Sequence, residues 1–127
     1  MAETREFDLG DILSITTDRL VSPRHMEGVY DILNYMTGDN LFTHQLPRAS
    51  RECQGPLLEQ LPQLVNVDVP EEFEGKQHVE DWLFATKLIF GESLTVSPLA
   101  TGRHEFRDPI MDADQMMGNR PVIVVNL

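Results

Sequence analysis

Apolar residues recur at helical spacing through residues 22–38, "SPRHMEGVYDILNYMTG", where Met26, Val29, Tyr30, Leu33 and Met36 fall on one face. Ser22 reads as the N-cap of this helix, Pro23 as a residue of its first turn, and Gly38 as its stop. Upstream, "FDLGDILSITT" predicts a shorter helix capped by Asp8, with Leu9, Ile12 and Leu13 as its apolar side and Gly10 weakening it. Downstream, Pro47 suits the first turn of a third helix running through Arg48 to Gln54. Gly55-Pro56 predicts an interruption there, after which "PLLEQL" supplies one or two more turns before Pro62.

The period then changes. "LVNVDV" alternates Val65, Val67 and Val69, the two-residue repeat of a strand with one buried face, and "SLTVS" and "PVIVVNL" predict two further short strands. The segment "HVEDWLFATKLIF" is apolar on more than one side through Val79, Trp82, Leu83, Phe84, Leu88, Ile89 and Phe90, and Gly91 stops it. That pattern predicts a central helix covered on several faces. "PEEFEGKQ" predicts an acidic loop ahead of it, and "DPIMDADQMMG" a helix opened by Asp108-Pro109 and closed by Gly118. The sum is one compact domain over residues 1–127, α+β in class, with three to five helices and a small sheet of about three short strands.

Composition narrows the possibilities. The chain has 127 residues, 41% of them hydrophobic, enough to bury a core without covalent staples. A single cysteine, Cys53, rules out an internal disulfide and fits a reducing compartment. The acidic start "MAETREFDLGD" lacks a signal-peptide pattern, and no stretch approaches the ~18 apolar residues of a membrane helix. A soluble, cytoplasmic protein is expected. Ten basic residues face 21 acidic ones, a net charge of −11. Such a surface repels phosphate backbones and is steered towards basic partners, so a protein partner with a basic surface is expected rather than nucleic acid or a membrane.

The usual reaction motifs are missing. His25, His44, His78 and His104 show no three- or four-residue spacing, and no CxxC or HExxH occurs, so no metal site is expected. There is no phosphate-binding glycine loop and no GxSxG elbow, and no cofactor is expected. Cys53 with His44 forms a conceivable thiolate pair, but a lone cysteine in an apolar-patterned helix reads as a small core residue.

The polar stretch "TGDNLFTHQLPRASREC", residues 37–53, supports two readings. In the first, Asn40, Thr43, His44, Gln45 and Arg48 line a pocket for a small anionic ligand such as a nucleotide signal: amides read a base edge, arginine pairs with phosphate, and the start of the third helix favours an anion. In the second, Asp39 and Asn40 make the turn after Gly38, Thr43 caps the next helix, Arg48 pairs with an acidic neighbour, and Leu41, Phe42 and Leu46 plug the core. The Met-rich "IMDADQMM" fits either a buried helix or a homo-oligomer interface.

The run "FDLGDILSITTDRLVSPRHMEGVYDILNYMTGDNLFTHQLPRASREC" resembles a family of small domains of unknown function encoded by tailed bacteriophages, prophages and some bacteria, with the similarity covering residues 6–64 and continuing more loosely through "VEDWL", "GESLTVSPL" and the C-terminal strand. Asp18 stands where the resemblance implies glycine, and Leu61 where it implies histidine. The family brings no activity, but its setting implies a non-enzymatic accessory factor that antagonises a host-defence protein by stoichiometric binding. An acidic surface including Glu71, Glu72, Glu74, Glu80 and Asp81 is the expected docking element.

Overall fold

The computed structural model describes residues 4–100 and 102–104. In chain order the elements are β1 (Arg5–Asp8), α1 (Leu9–Thr16), α2 (Met26–Thr37), a 3₁₀ turn (Thr43–Gln45), α3 (Leu46–Gln60), a 3₁₀ segment (Pro62–Asn66), α4 (Lys76–Phe90) and β2 (Ser93–Val96). The architecture is α+β, with four α-helices and a two-stranded antiparallel sheet among the described residues. Arg5 lies opposite Val96 and Asp8 opposite Ser93, so the first described segment is sewn to one of the last.

The centre of the molecule is α1. Asp8 caps it, its Oδ2 accepting the Gly10 N–H at 2.8 Å. Leu9, Ile12, Leu13 and Ile15 are 0–1% exposed. At ~1.5–3 kcal/mol for each fully buried aliphatic side chain, this short helix contributes more to the core than its length suggests. It packs against α2 and α3, which add Ile32, Leu33, Met36, Ala49, Cys53 and Leu57, and the sheet adds Phe7 and Val96. The centrality expected of α4 therefore belongs to α1. On α4 only Leu83 and Thr86 are buried, whereas Phe84, Leu88 and Ile89 are 66%, 74% and 76% exposed.

Other differences have local causes. The N-terminal strand was not foreseen, because its four residues become a strand only by pairing with β2. Helix α2 begins at Met26 rather than at Ser22-Pro23: the Ser22 hydroxyl accepts the Arg24 N–H at 3.0 Å, but residues 23–25 form only a turn, and His25 at φ 57°, ψ −137° breaks the helical path before Met26. Helix α3 runs straight through Gly55-Pro56 to Gln60. Pro56 is buried beside Cys53 and Leu57, and that packing outweighs the roughly 3 kcal/mol that an interior proline costs. "LVNVDV" is not a strand. Leu64 points inward at 4% exposure, Val65 outward at 66%, and Val67 inward again, the three-residue repeat of a 3₁₀ turn begun at Pro62. The expected strand at 121–127 and helix at 108–118 lie outside the described residues; among those described, SLTV alone of the expected strands is found, and β1 is its partner in a sheet of two.

One buried carboxylate organises the crossing of these elements. Asp11 on α1 is 0% exposed, accepts a hydrogen bond from the Ser22 hydroxyl and pairs with the Arg24 guanidinium. Arg24 also reaches Asp31 of α2 at 3.0 Å, and Arg5 of β1 grips the same carboxylate through both terminal nitrogens at 3.1 and 3.0 Å. The Arg5 guanidinium lies 4.4 Å from the Phe7 ring centroid and 5.6 Å from that of Tyr35. A chain of alternating charge thus joins α1, the turn after it, α2 and the sheet. The space is tight: a Cβ on Gly28 would lie 2.2 Å from Asp11 Oδ1 and 2.3 Å from Ser22 Oγ.

Two glycine substitutions are therefore expected to move stability in opposite directions. Gly28→Ala gains helix propensity of about 1 kcal/mol but overpacks the Asp11–Ser22 contact, a cost of roughly 1–3 kcal/mol that rises further if the buried pair is disrupted. Net destabilisation in urea unfolding is expected. Gly55→Ala meets nothing within 4 Å on the exposed side of α3 and is expected to stabilise by about 0.5–1 kcal/mol. Hydrogen bonds from Arg5 hold the Asp31 carboxyl below its ordinary range, against an opposing effect of burial. Its contribution is thus complete at neutral pH and fades as the pH falls below about 4. Stability measured from pH 6 to pH 2.5 should fall less steeply in Asp31→Asn than in the parent.

Candidate functional site

Between the 3₁₀ segment and α4 the chain carries Asp68, Glu71, Glu72 and Glu74, all exposed, and the first turns of α4 add exposed Glu80 and Asp81. This acidic run is fastened to the helix. The Trp82 indole N–H donates to the Asp68 carbonyl at 2.9 Å, and the Glu74 backbone N–H donates to His78 Nδ1 at 3.0 Å. Phe73 wedges between His78 and Trp82, its ring edge-on to both, with centroids 5.2 and 5.4 Å away. Gln77 donates to Asp81 at 2.8 Å, and Lys76 stands 3.9 Å from Glu80 at the surface, too exposed to cancel much charge. The five acids expected to dock a partner (Glu71, Glu72, Glu74, Glu80 and Asp81) are thus all exposed along the segment leading into α4 and its first turns.

Beside them runs a furrow between α4 and the turn at residues 20–25. One end, about 410 Å³, is lined by Leu20, Val21, His25 and Val79 among others. The adjoining end, about 440 Å³, has Phe84, Leu88, Lys87 and Glu92 in its wall, and Pro23, Glu80 and Leu83 belong to both. Its floor is set by close approach at Gly10, where a Cβ would lie 2.6 Å from Pro23 Cδ and 3.0 Å from Leu83 Cδ2. Lys87 turns back to Asp8 at 2.6 Å, so its charge is neutralised within the wall. The connection between α1 and α2, which carries this rim, holds two non-glycine residues at positive φ. Asp18 has φ 60°, and His25 adopts φ 57°, ψ −137°, a region that is nearly the preserve of glycine. Asp18 is the position at which the family resemblance implies glycine.

The polar stretch 37–53 resolves into mostly structural roles. Gln45 is 1% exposed, and it donates its N–H to the Phe42 carbonyl at 2.9 Å while its Oε1 accepts the Phe42 N–H at 3.0 Å. Thr43 shares a hydrogen bond with the Tyr30 hydroxyl rather than capping a helix, and it forms part of a separate open groove with Leu20, Met26 and Leu46. Asn40 is exposed in the turn after α2, its backbone N–H on Asp39 Oδ1 at 2.7 Å. His44 is half-buried with its ring edge-on to Phe42, and Arg48 is half-buried on α3 with its guanidinium nitrogens out of solvent. Leu41 and Leu46 enter the core as expected, whereas Phe42 is 55% exposed. The five candidates of this stretch do not converge on one cavity: Gln45 faces inward while Asn40 and Thr43 face outward. What the stretch does assemble is a clasp for His104, whose Nδ1 meets Glu52 and whose Nε2 lies 2.9 Å from Asp39 Oδ2.

Cys53 is 0% exposed in the core of α3, and burial, aided by the nearby Glu52 charge, pushes its thiol up to about 12. Against the ordinary value of 9.0 this leaves about a thousandfold fewer thiolates near neutral pH. Alkylation by iodoacetamide at pH 8 is expected to be slower by at least that factor in the folded chain, and to reach the rate of a free cysteine in denaturant; fast native labelling would contradict this burial.

No curated protein and no solved structure shows a significant match to this chain. The segment that forms α1, α2 and α3, residues 7–67, matches the family model described as Domain of unknown function (DUF7736).

Proposed function

We propose that this chain is a binding protein without chemistry of its own, a phage-type accessory factor that acts in the host cytoplasm by stoichiometric association with a host-defence protein. Its exposed acids dock on a basic, nucleic-acid-binding face of that target and occlude it. The observation carrying this reading is the fastened acidic array, in which Glu71, Glu72, Glu74, Glu80 and Asp81 are all exposed on a segment pinned by Trp82, Phe73 and His78. Loose acidic loops lose conformational freedom on binding, whereas a fastened one does not, and that favours association. The net charge of −11 supports fast, steered encounter with a cationic surface. The family resemblance supports the setting rather than the target.

Co-elution with basic host-defence nucleases at 50 and 500 mM salt tests this reading. Binding should weaken by about tenfold or more at the higher salt, as expected for contacts screened at the Debye length. Reversing Glu71, Glu72 and Glu74 to lysine should abolish co-elution while leaving the circular dichroism spectrum unchanged. Association indifferent to both changes would remove the electrostatic basis.

A further inference from the structure

We propose that the furrow between the 20–25 turn and α4 seats the apolar face of a basic amphipathic helix presented by a partner protein. The proposal rests on the acidic-docking reading above and supplies what that reading lacks, the shape and apolar chemistry of what is bound. Phe84 and Leu88, one helical turn apart, are 66% and 74% exposed, and Ile89 on the adjacent side of α4 is 76% exposed. Leaving such side chains in water forgoes a favourable burial at three neighbouring positions, and contiguous apolar surface rimmed by polar groups marks an interaction site. The furrow beside them is elongated along α4, the form that accepts a helix through anchors at i, i+3 or i+4, and i+7.

The rim selects among occupants. Glu80 and Glu92, both exposed, line the furrow, with exposed Asp81 next to Glu80 in sequence; of the two lysines in its wall, Lys87 is bound to Asp8 at 2.6 Å and Lys76 stands 3.9 Å from Glu80, so neither leaves the furrow with a surplus of positive charge. A second copy of this chain would bring a net −11 surface against its own carboxylates, and an anionic lipid surface would meet the same repulsion. A helix with leucine-like anchors on one face and lysine or arginine at its edges satisfies both the furrow and the rim. The strained turn bearing His25 forms the opposite wall, next to exposed Leu20.

Fluorescence anisotropy of labelled synthetic peptides with the full chain tests the assignment. Three 18-residue probes are used: an amphipathic leucine–lysine helix, its leucine–glutamate counterpart, and a lysine–serine peptide of the same positive charge without an apolar face. The leucine–lysine helix should bind at least tenfold more tightly than either of the others. Phe84→Asp and Leu88→Asp, at positions too exposed to disturb folding, should each weaken it by at least tenfold with an unchanged circular dichroism spectrum. If the lysine–serine peptide binds equally well and both aspartate variants are neutral, the furrow is overturned while acidic docking stands. If the leucine–glutamate helix binds equally well and the aspartate variants weaken both helices, the basic partner is overturned, and acidic docking with it. Self-association or binding to phosphatidylglycerol vesicles that Leu88→Asp abolishes would overturn the proposal in favour of a second copy or a membrane.

Discussion

A carboxylate with no access to water holds the arrangement of α1, α2 and the sheet. Asp11 is 0% exposed, and an uncompensated charge in that position would cost several kcal/mol. The Ser22 hydroxyl and the Arg24 guanidinium supply the compensation, and both come from the turn that follows α1. That turn cannot drift without stripping Asp11 of its partners. Arg24 in turn shares Asp31 with Arg5, so the same constraint reaches α2 and β1. Gly28 lets the backbone of α2 come down onto the pair. The path taken by residues 18–25, including its two residues with positive φ, is consistent with the turn being held at both ends by this network.

Once the turn is fixed, the surface follows. Pro23 is held against Gly10 and Leu83, which sets the distance at which α4 can approach α1. Helix α4 is tied down by Lys87 on Asp8 and by Leu83, and the strand after it pairs with β1. With α1 already enclosed by α2 and α3, the described residues supply no second apolar layer over the outer side of α4. Phe84, Leu88 and Ile89 stay outside, next to the fastened acids. The family match over residues 7–67 takes in the turn and the three-helix core but not α4. The inner wall of the furrow thus lies within the matched residues and the outer wall after them.

Much of the densest polar stretch serves as joinery. Gln45 closes the 3₁₀ turn, Asn34 receives the Leu41 N–H at 2.9 Å, and Asp39 and Glu52 hold His104. Side chains that can read a base edge are equally able to satisfy a buried backbone, and short range favours the latter. Composition alone does not distinguish the two uses.

Local signals in the chain were enough for α1, for α2 with its Gly38 stop in the left-handed conformation, for α4 up to Gly91, and for the SLTV strand. Each depends on neighbours within a few residues: a cap, a helical spacing, a glycine. The α+β class and the exposure of the acids at 71–81 were legible for the same reason, since charge and alternation are local. Tertiary packing decided the rest. Pro56 stays inside a helix because Cys53 and Leu57 are buried around it, Arg5–Asp8 becomes a strand because β2 lies beside it, and "LVNVDV" curls because only Leu64 and Val67 have a core to enter. Above all, the apolar pattern of α4 states that its residues prefer not to face water, but not whether another layer exists to cover them. That depends on how α1 fills the centre, a property of the assembled elements and of no single segment.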